Sequence, residues 1–211
     1  MDIYGYLYYN ECVKFLIQAT NELMAGKFGL DMLIITKSLR GYYKNPDSIV
    51  QKVLADRMGE RDPGNKPQSS DRIPFVYIQI PENKNRKILQ GERVEHPKFI
   101  QENNLKPDYL FYITNQIKKP VSQIFELALE QLDNYFRKPN YYKLKWKELE
   151  KSGLTDAEIL KKITELRLKD VDSLVFEKII KKATSQKDQI QARMSGIPQI
   201  TNWFKPKKSN K

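Results

Sequence analysis

The sequence predicts an α+β fold that is mostly helical, with a small β element, a helical C-terminal extension and a flexible tail. Three observations lead there. Apolar residues recur at helical spacing in several stretches, and two short apolar runs, 32–36 and 73–80, are bounded by turn residues as strands are. Beyond Pro139 the composition becomes rich in Lys, Glu and Leu.

Taken in order, Val13, Leu16, Ile17, Thr20, Leu23 and Met24 mark a first helix, and Gly26 supplies a left-handed end to it. Residues 32–36 form a short strand. Asn45-Pro46 is a helix start, with Asn as cap and Pro in the first turn, and that helix runs through Ile49, Val53 and Leu54 to Met58. Pro63-Gly64 is a tight turn, and the alternation of 73–80 predicts a strand pointing basic groups at one surface. Lys84-Asn85-Arg86 makes a polar turn and Pro97 opens another helix. A longer helix spans 107–135, with a break or kink expected at Pro120, which lacks the N–H that a helix interior needs. Gly153 ends a helix, and Thr155-Asp156-Ala157-Glu158 fits a capping box for the next. Ile159, Leu160, Ile163 and Leu166 give one buried stripe; Val171, Leu174, Val175, Ile179 and Ile180 give a second. Residues 184–211 lose periodicity.

The 211 residues, 40% apolar and 30% charged, are those of a soluble globular chain of one or two domains. No apolar stretch is long enough to span a bilayer. Met1-Asp2-Ile3-Tyr4-Gly5-Tyr6 has neither a basic region nor a cleavage site, so secretion is not expected. The single cysteine, Cys12, excludes an internal disulfide, and one Cys with one His excludes a zinc site built from those ligands. The formal charge of +11 is uneven: residues 1–105 carry 15 Lys/Arg against 13 Asp/Glu, and residues 106–211 carry 22 against 13. Such an excess favours a polyanionic partner, although a lysine-rich solvated helical surface has the same composition.

The run from Arg61 to Val76, RDPGNKPQSSDRIPFV, gathers Arg61, Lys66 and Arg72 around a turn, a set suited to phosphate oxygens. It resembles the RDPGxxPxxGDRVPYV stretch in the thumb of family B DNA polymerases, with Ser70 where the family has glycine. Other segments are similar to that family in the same order. Residues 33–39 resemble the strand leaving the palm, 53–58 the helix before the loop, and 108–126 the DxxYYxxxQxxKPxxxIFE segment. The family's palm motifs, DxxSLYPS-like, YGDTDS-like and KxxxNSxYG-like, do not occur in residues 1–211, nor do its cysteine-rich C-terminal metal modules. The resemblance, closest in kind to polymerases of large DNA viruses, implies part of a DNA-directed DNA polymerase, a nucleotidyltransferase. It divides the chain into the distal palm edge (1–36), a thumb-type subdomain (37–138), a helical extension (139–184) and a flexible basic tail (185–211). It implies primer–template DNA, the remaining palm and exonuclease part and a sliding clamp as partners, with no membrane. Mg²⁺ would belong to the complete polymerase and no cofactor to this chain, which would not polymerise alone. The expected location is intracellular, the nucleus or a viral replication site in the cytoplasm. The rival reading is a free-standing DNA-binding or clamp-tethered accessory protein derived from a polymerase thumb.

Arg57, Arg61, Lys66 and Arg72 are the first candidate DNA contacts that this likeness implies. The alternative is that Arg61–Asp62 and Asp71–Arg72 pair locally and pin the turn. Lys37, Arg40 and Lys44 form a second cluster, with Tyr42 and Tyr43 either flanking nucleic acid or packing a subdomain junction. Lys118 and Lys119, with Asn115 and Gln116, lie on the third motif and either meet DNA or brace helices. His96 reads as a surface or helix-entry residue, and Glu82, Glu92 and Glu95 read as solvated surface. In the tail, Ile197, Ile200, Trp203 and Phe204 resemble the peptide that docks on sliding clamps, with Ile197 where that pattern has Gln. A tail folded back on the thumb, or an import patch at 205–208, are the alternatives there.

Overall fold

The computed structural model describes residues 3–80, 88–131 and 140–194. In order come helix α1 (Ile3–Met24), strand β1 (Ile35–Ser38), helix α2 (Val50–Arg61), strand β2 (Arg72–Tyr77), strand β3 (Val94–Glu95) and helix α3 (Pro97–Glu102). Helix α4 joins Tyr109–Phe111, a π-helical segment Tyr112–Ile117 and an α segment Lys118–Gln131. Helix α5 is Tyr141–Glu150, and helix α6 joins Asp156–Val171, a second π segment Asp172–Phe176 and Glu177–Met194. The fold is α+β and mostly helical, as expected, with one antiparallel sheet ordered β1-β2-β3. Among the described residues no helix is long and apolar enough to cross a membrane.

The chain forms two compact units that are not consecutive segments. One combines Met1–Lys27 with Leu110–Lys187, and the other is built on Phe28–Tyr109. In the first, α1 buries Tyr9, Leu16, Leu23 and Met24. Its end is a Schellman motif: Lys27 N–H bonds to Glu22 O (3.1 Å), Gly26 N–H to Leu23 O (2.9 Å), and Gly26 takes φ 69°. The Lys118–Gln131 segment packs on Asp156–Val171, and α5 packs on that same segment. Phe125, Leu129, Ile159, Ile163, Val171, Val175 and Phe176 form the core. Two buried polar links cross it. Arg167 Nη1 meets Glu126 Oε1 at 3.0 Å, and Tyr142 O–H donates to Asp170 Oδ2 at 2.8 Å.

Several expectations are corrected in detail. Leu160 (52% exposed) and Leu174 (41% exposed) are not in the buried stripes, which run instead through Ile159, Ile163, Val171, Val175 and Ile179. At Pro120 the helix continues, and the irregularity lies just before the proline. The chain widens to a π turn just before it, closed by Lys118 N–H on Ile113 O, and the proline then sits in the first turn of the following α segment. The capping box forms as expected: Glu158 N–H donates to Thr155 Oγ1, and Glu158 Oε2 accepts from Thr155 N–H (2.9 Å).

In the second unit, Leu30–Leu33 closes a 3₁₀ turn, so β1 starts only at Ile35, where Phe75 lies opposite. Pro46–Ser48 likewise closes a 3₁₀ turn, and α2 begins at Val50. β2 is the central strand. Ile73, Phe75, Val76 and Tyr77 are all buried, and basic residues do not alternate along it; Arg72, at its start, is exposed. A 3₁₀ turn, Gln90–Arg93, lies on α2. A Cβ on Gly91 would stand 2.7 Å from Val53 Cβ, so this approach needs glycine.

Candidate nucleic-acid interface

The two basic clusters that the sequence separates are joined by backbone pairing. β1 and β2 set Ser38 opposite Arg72 and Lys37 opposite Ile73. The pairing continues past β1: Leu39 N–H donates to Asp71 O and Ser70 N–H to Leu39 O, both at 2.8 Å. Residues 37–44 and 66–72 therefore lie side by side, and Lys37, Arg40, Lys44, Lys66 and Arg72 on them are all exposed, with Lys37 and Arg72 on opposite faces of the β1–β2 pair. Lys37, Arg40, Lys44 and Arg72 make no ion pair with any described residue. Lys66 lies 3.5 Å from Asp56, its cation still half exposed, and its stem crosses Gly59, where a Cβ would stand 2.6 Å from Lys66 Cγ.

The loop is held by its own polar groups. Asp71 accepts from Gln68 N–H (2.7 Å) and Asp62 accepts from Asn65 Nδ2 (2.7 Å), and among the described residues neither aspartate forms an ion pair with the neighbouring arginine. Arg40 N–H donates to the Tyr43 hydroxyl (2.7 Å), which fastens the 37–44 segment; Tyr42 stands 81% exposed. The pair of tyrosines thus divides into one brace and one exposed ring.

Arg57 and Arg61, expected at the DNA surface, turn the other way. Glu95, expected as solvated surface, is 0% exposed and receives both. Arg57 Nε lies 3.0 Å from Glu95 Oε1, and Arg61 is bidentate, Nη2 to Oε1 at 2.6 Å and Nη1 to Oε2 at 3.1 Å. Arg57 also donates to Val94 O and to Gly91 O, and the Arg61 guanidinium stacks 3.7 Å from the Phe99 ring centre. Burial holds the Arg57 guanidinium below its ordinary pKa, with Glu95 opposing that shift. The physical reason for the inversion is that a buried carboxylate must be paired, and among the described residues Arg57 and Arg61 of α2 supply the cations while His96 N–H donates to Oε2 at 3.3 Å. Glu92 also has local work, accepting from Leu89 N–H at 2.9 Å; Glu82 lies outside the described residues. Sequence reasoning missed Glu95 as a hub. Its one trace is that Arg57 and Arg61, at i and i+4, share a helix face while Glu95 follows an apolar strand residue.

His96 caps α3, its Nδ1 accepting from Lys98 N–H at 3.3 Å, which is the expected helix-entry role; burial pushes its pKa down. In the other unit, Lys118 pairs with Asp172 at 2.9 Å, while Lys119 is exposed without an ion pair to any described residue. The Asn115 amide is bonded to Phe111 O and Thr114 Oγ1, and Gln116 is exposed. Among the described residues no group of three or more His, Cys, Asp or Glu is placed to hold a metal ion. Ile197, Ile200, Trp203 and Phe204 lie outside the described residues.

The family model described as DNA polymerase family B matches residues 8–128. A DNA polymerase of Pyramimonas orientalis virus is 45% identical over 170 residues, 80% of this chain and 14% of its own length. A DNA polymerase of Acanthamoeba polyphaga mimivirus is 52% identical over 115 residues, 54% of this chain and 7% of its own length. The DNA polymerase delta catalytic subunit of Caenorhabditis elegans is 35% identical over 121 residues, 56% of this chain and 10% of its own length. The matched region thus spans a small fraction of each relative. It contains α2, the 62–71 loop and all three strands, and this chain belongs to DNA polymerase family B.

Proposed function

We propose that this chain is the palm-edge and thumb part of a DNA-directed DNA polymerase and that it grips primer–template duplex through the phosphate backbone. The observation that carries this reading is the paired edge of residues 37–44 and 66–72, where four cations have no ion pair among the described residues. Phosphate contacts position a duplex without reading its sequence, which a replicative enzyme requires. Lys119 is a further proposed contact in the other unit. Nucleotide transfer and the Mg²⁺ it uses belong, in this reading, to a palm that carries the motifs absent from residues 1–211, and the partner is the polypeptide bearing them. The tail residues Ile200, Trp203 and Phe204, with Ile197 at the Gln position, are proposed to dock on a sliding clamp. Binding of a peptide spanning 195–211 to the clamp, lost on changing Trp203 and Phe204 to Ala, tests that part.

Titrating the full chain onto labelled duplex, with primer extension run in parallel, tests the main reading. The expected result is sequence-independent, salt-sensitive binding with no extension, and extension only after mixing with a palm-bearing polypeptide. Binding without any restored extension would favour the clamp-tethered accessory protein; absence of binding would overturn the DNA grip.

A further inference from the structure

Glu95 meets the 62–71 loop at both of its ends. The loop leaves α2 directly after Arg61, and Arg61 is held bidentate by the Glu95 carboxylate, with Arg57 one turn earlier on the same oxygen. The loop returns at Arg72 into β2, and β2 is paired through Val76 to the backbone of Glu95 itself. One residue therefore anchors the helix from which the loop departs by its side chain and the strand into which it arrives by its main chain. The Phe99 ring, 3.7 Å from the Arg61 guanidinium, covers one face of that cation, which stays 30% exposed. Arg57 extends the same anchor to the carbonyls of Gly91 and Val94.

An ion cluster around a buried carboxylate is a poor way to add stability, because desolvating Glu95 and much of Arg57 offsets most of the attraction, and well-packed apolar side chains often do as well. What such a cluster does supply is direction. Two guanidiniums converging on one fully buried carboxylate have few alternative arrangements, so the end of α2 is held in one orientation relative to β2. Lys66 and Arg72 lie on the two arms of the loop whose ends are so held.

We propose that Glu95 is a positioning residue: through Arg57 and Arg61 it sets the geometry in which the 62–71 loop offers Lys66 and Arg72 to DNA phosphates. This rests on the DNA-gripping reading above. Glu95 and its two arginines touch no phosphate in this scheme.

The test is a double-mutant cycle on the full chain, reading the slope of log Kd against log salt for a labelled duplex in wild type, Arg72→Ala, Glu95→Gln and the double variant. Each phosphate contact contributes about 0.9 to that slope. In wild type, Arg72→Ala should remove about one such increment. With Glu95→Gln the slope should already be lower, and adding Arg72→Ala should change it little, since a misdirected Arg72 has no contact left to lose. If Glu95→Gln does not fold, judged by far-UV circular dichroism, Arg61→Gln leaves Glu95 paired with Arg57 and enters the same cycle. A direct Arg61 contact would make the two effects add; positioning makes them overlap. Additive effects, or a Glu95→Gln protein that melts earlier but keeps its full slope, would overturn the proposal and leave the DNA reading intact. A slope that steepens in Glu95→Gln would also overturn it, showing that Glu95 withholds its arginines from DNA. Wild-type protein that does not bind duplex would overturn the DNA reading and this proposal together.

Discussion

Ser70 takes φ 78°, in the left-handed region that glycine enters freely and a Cβ disfavours. It stands at the position where the resembling family pattern has glycine, in the loop that joins the two basic segments, and its N–H is committed to Leu39 O. The strain persists because that bond and the Asp71–Gln68 turn define the local path. Ser70→Gly should therefore stabilise the chain by about 0.5–1 kcal/mol, the strain relief exceeding the extra freedom of the unfolded glycine. A urea midpoint shifted upward with unchanged m-value is the expected result. At this scale the sequence showed which residues carry charge but not which way they face. Arg57, Arg61, Lys66 and Arg72 look alike in a basic loop. What separates them is Glu95, 34 residues from Arg61 and brought to it by tertiary pairing. Tyr42 and Tyr43 are likewise equivalent in sequence, and the neighbouring Arg40 N–H selects Tyr43 as the brace.

At the scale of elements, legibility follows locality. The Schellman end of α1, the Thr155 capping box and the Pro97 helix start each depend on residues within one turn, and all three were readable. Strand and helix limits that depend on a partner were not: β1 begins where β2 lies opposite it, and Leu160 is exposed because no packed element covers that side of α6 in the described structure. The cap itself makes a prediction. Thr155→Ala removes the acceptor for Glu158 N–H and should cost about 1 kcal/mol at neutral pH. Hydrogen bonds from Thr155 hold the Glu158 carboxyl below its ordinary pKa of 4.5. A depressed carboxyl stabilises the fold above its unfolded value and loses that contribution as pH falls through the folded one. The melting-temperature gap between wild type and Thr155→Ala should accordingly narrow below pH 4.5. The link between α4 and α6 is of a different kind. Arg167→Met would leave Glu126 buried without its cation, and a loss of about 3–5 kcal/mol is expected in chemical denaturation. Changing Glu126 and Arg167 together to apolar residues should recover much of that loss.

The whole molecule joins sequence-distant segments, Met1–Lys27 with Leu110–Lys187, into one compact unit and sets Phe28–Tyr109 in another. Its net charge of +11 says only that a polyanion is favoured; the surface that would meet it depends on which cations are already spent. Lys118 is spent on Asp172, and Arg57 and Arg61 on Glu95, whereas Lys37, Arg40 and Lys44 have no ion pair with any described residue. Exposed cations without partners add little to stability, so replacing Lys37, Arg40 and Lys44 together by Ala should leave the melting temperature nearly unchanged. The same triple change should lower the salt slope of duplex binding by about 0.9 for each cation that meets a phosphate, as many as three increments. Lys118→Ala should do the reverse, leaving the slope intact while lowering stability by no more than about 1 kcal/mol, since the pair is partly exposed. A triple variant with an unaltered slope would move the DNA-binding face away from the β1–β2 edge to the exposed lysines of α6, of which Lys161, Lys162, Lys178 and Lys182 would be the next set to replace.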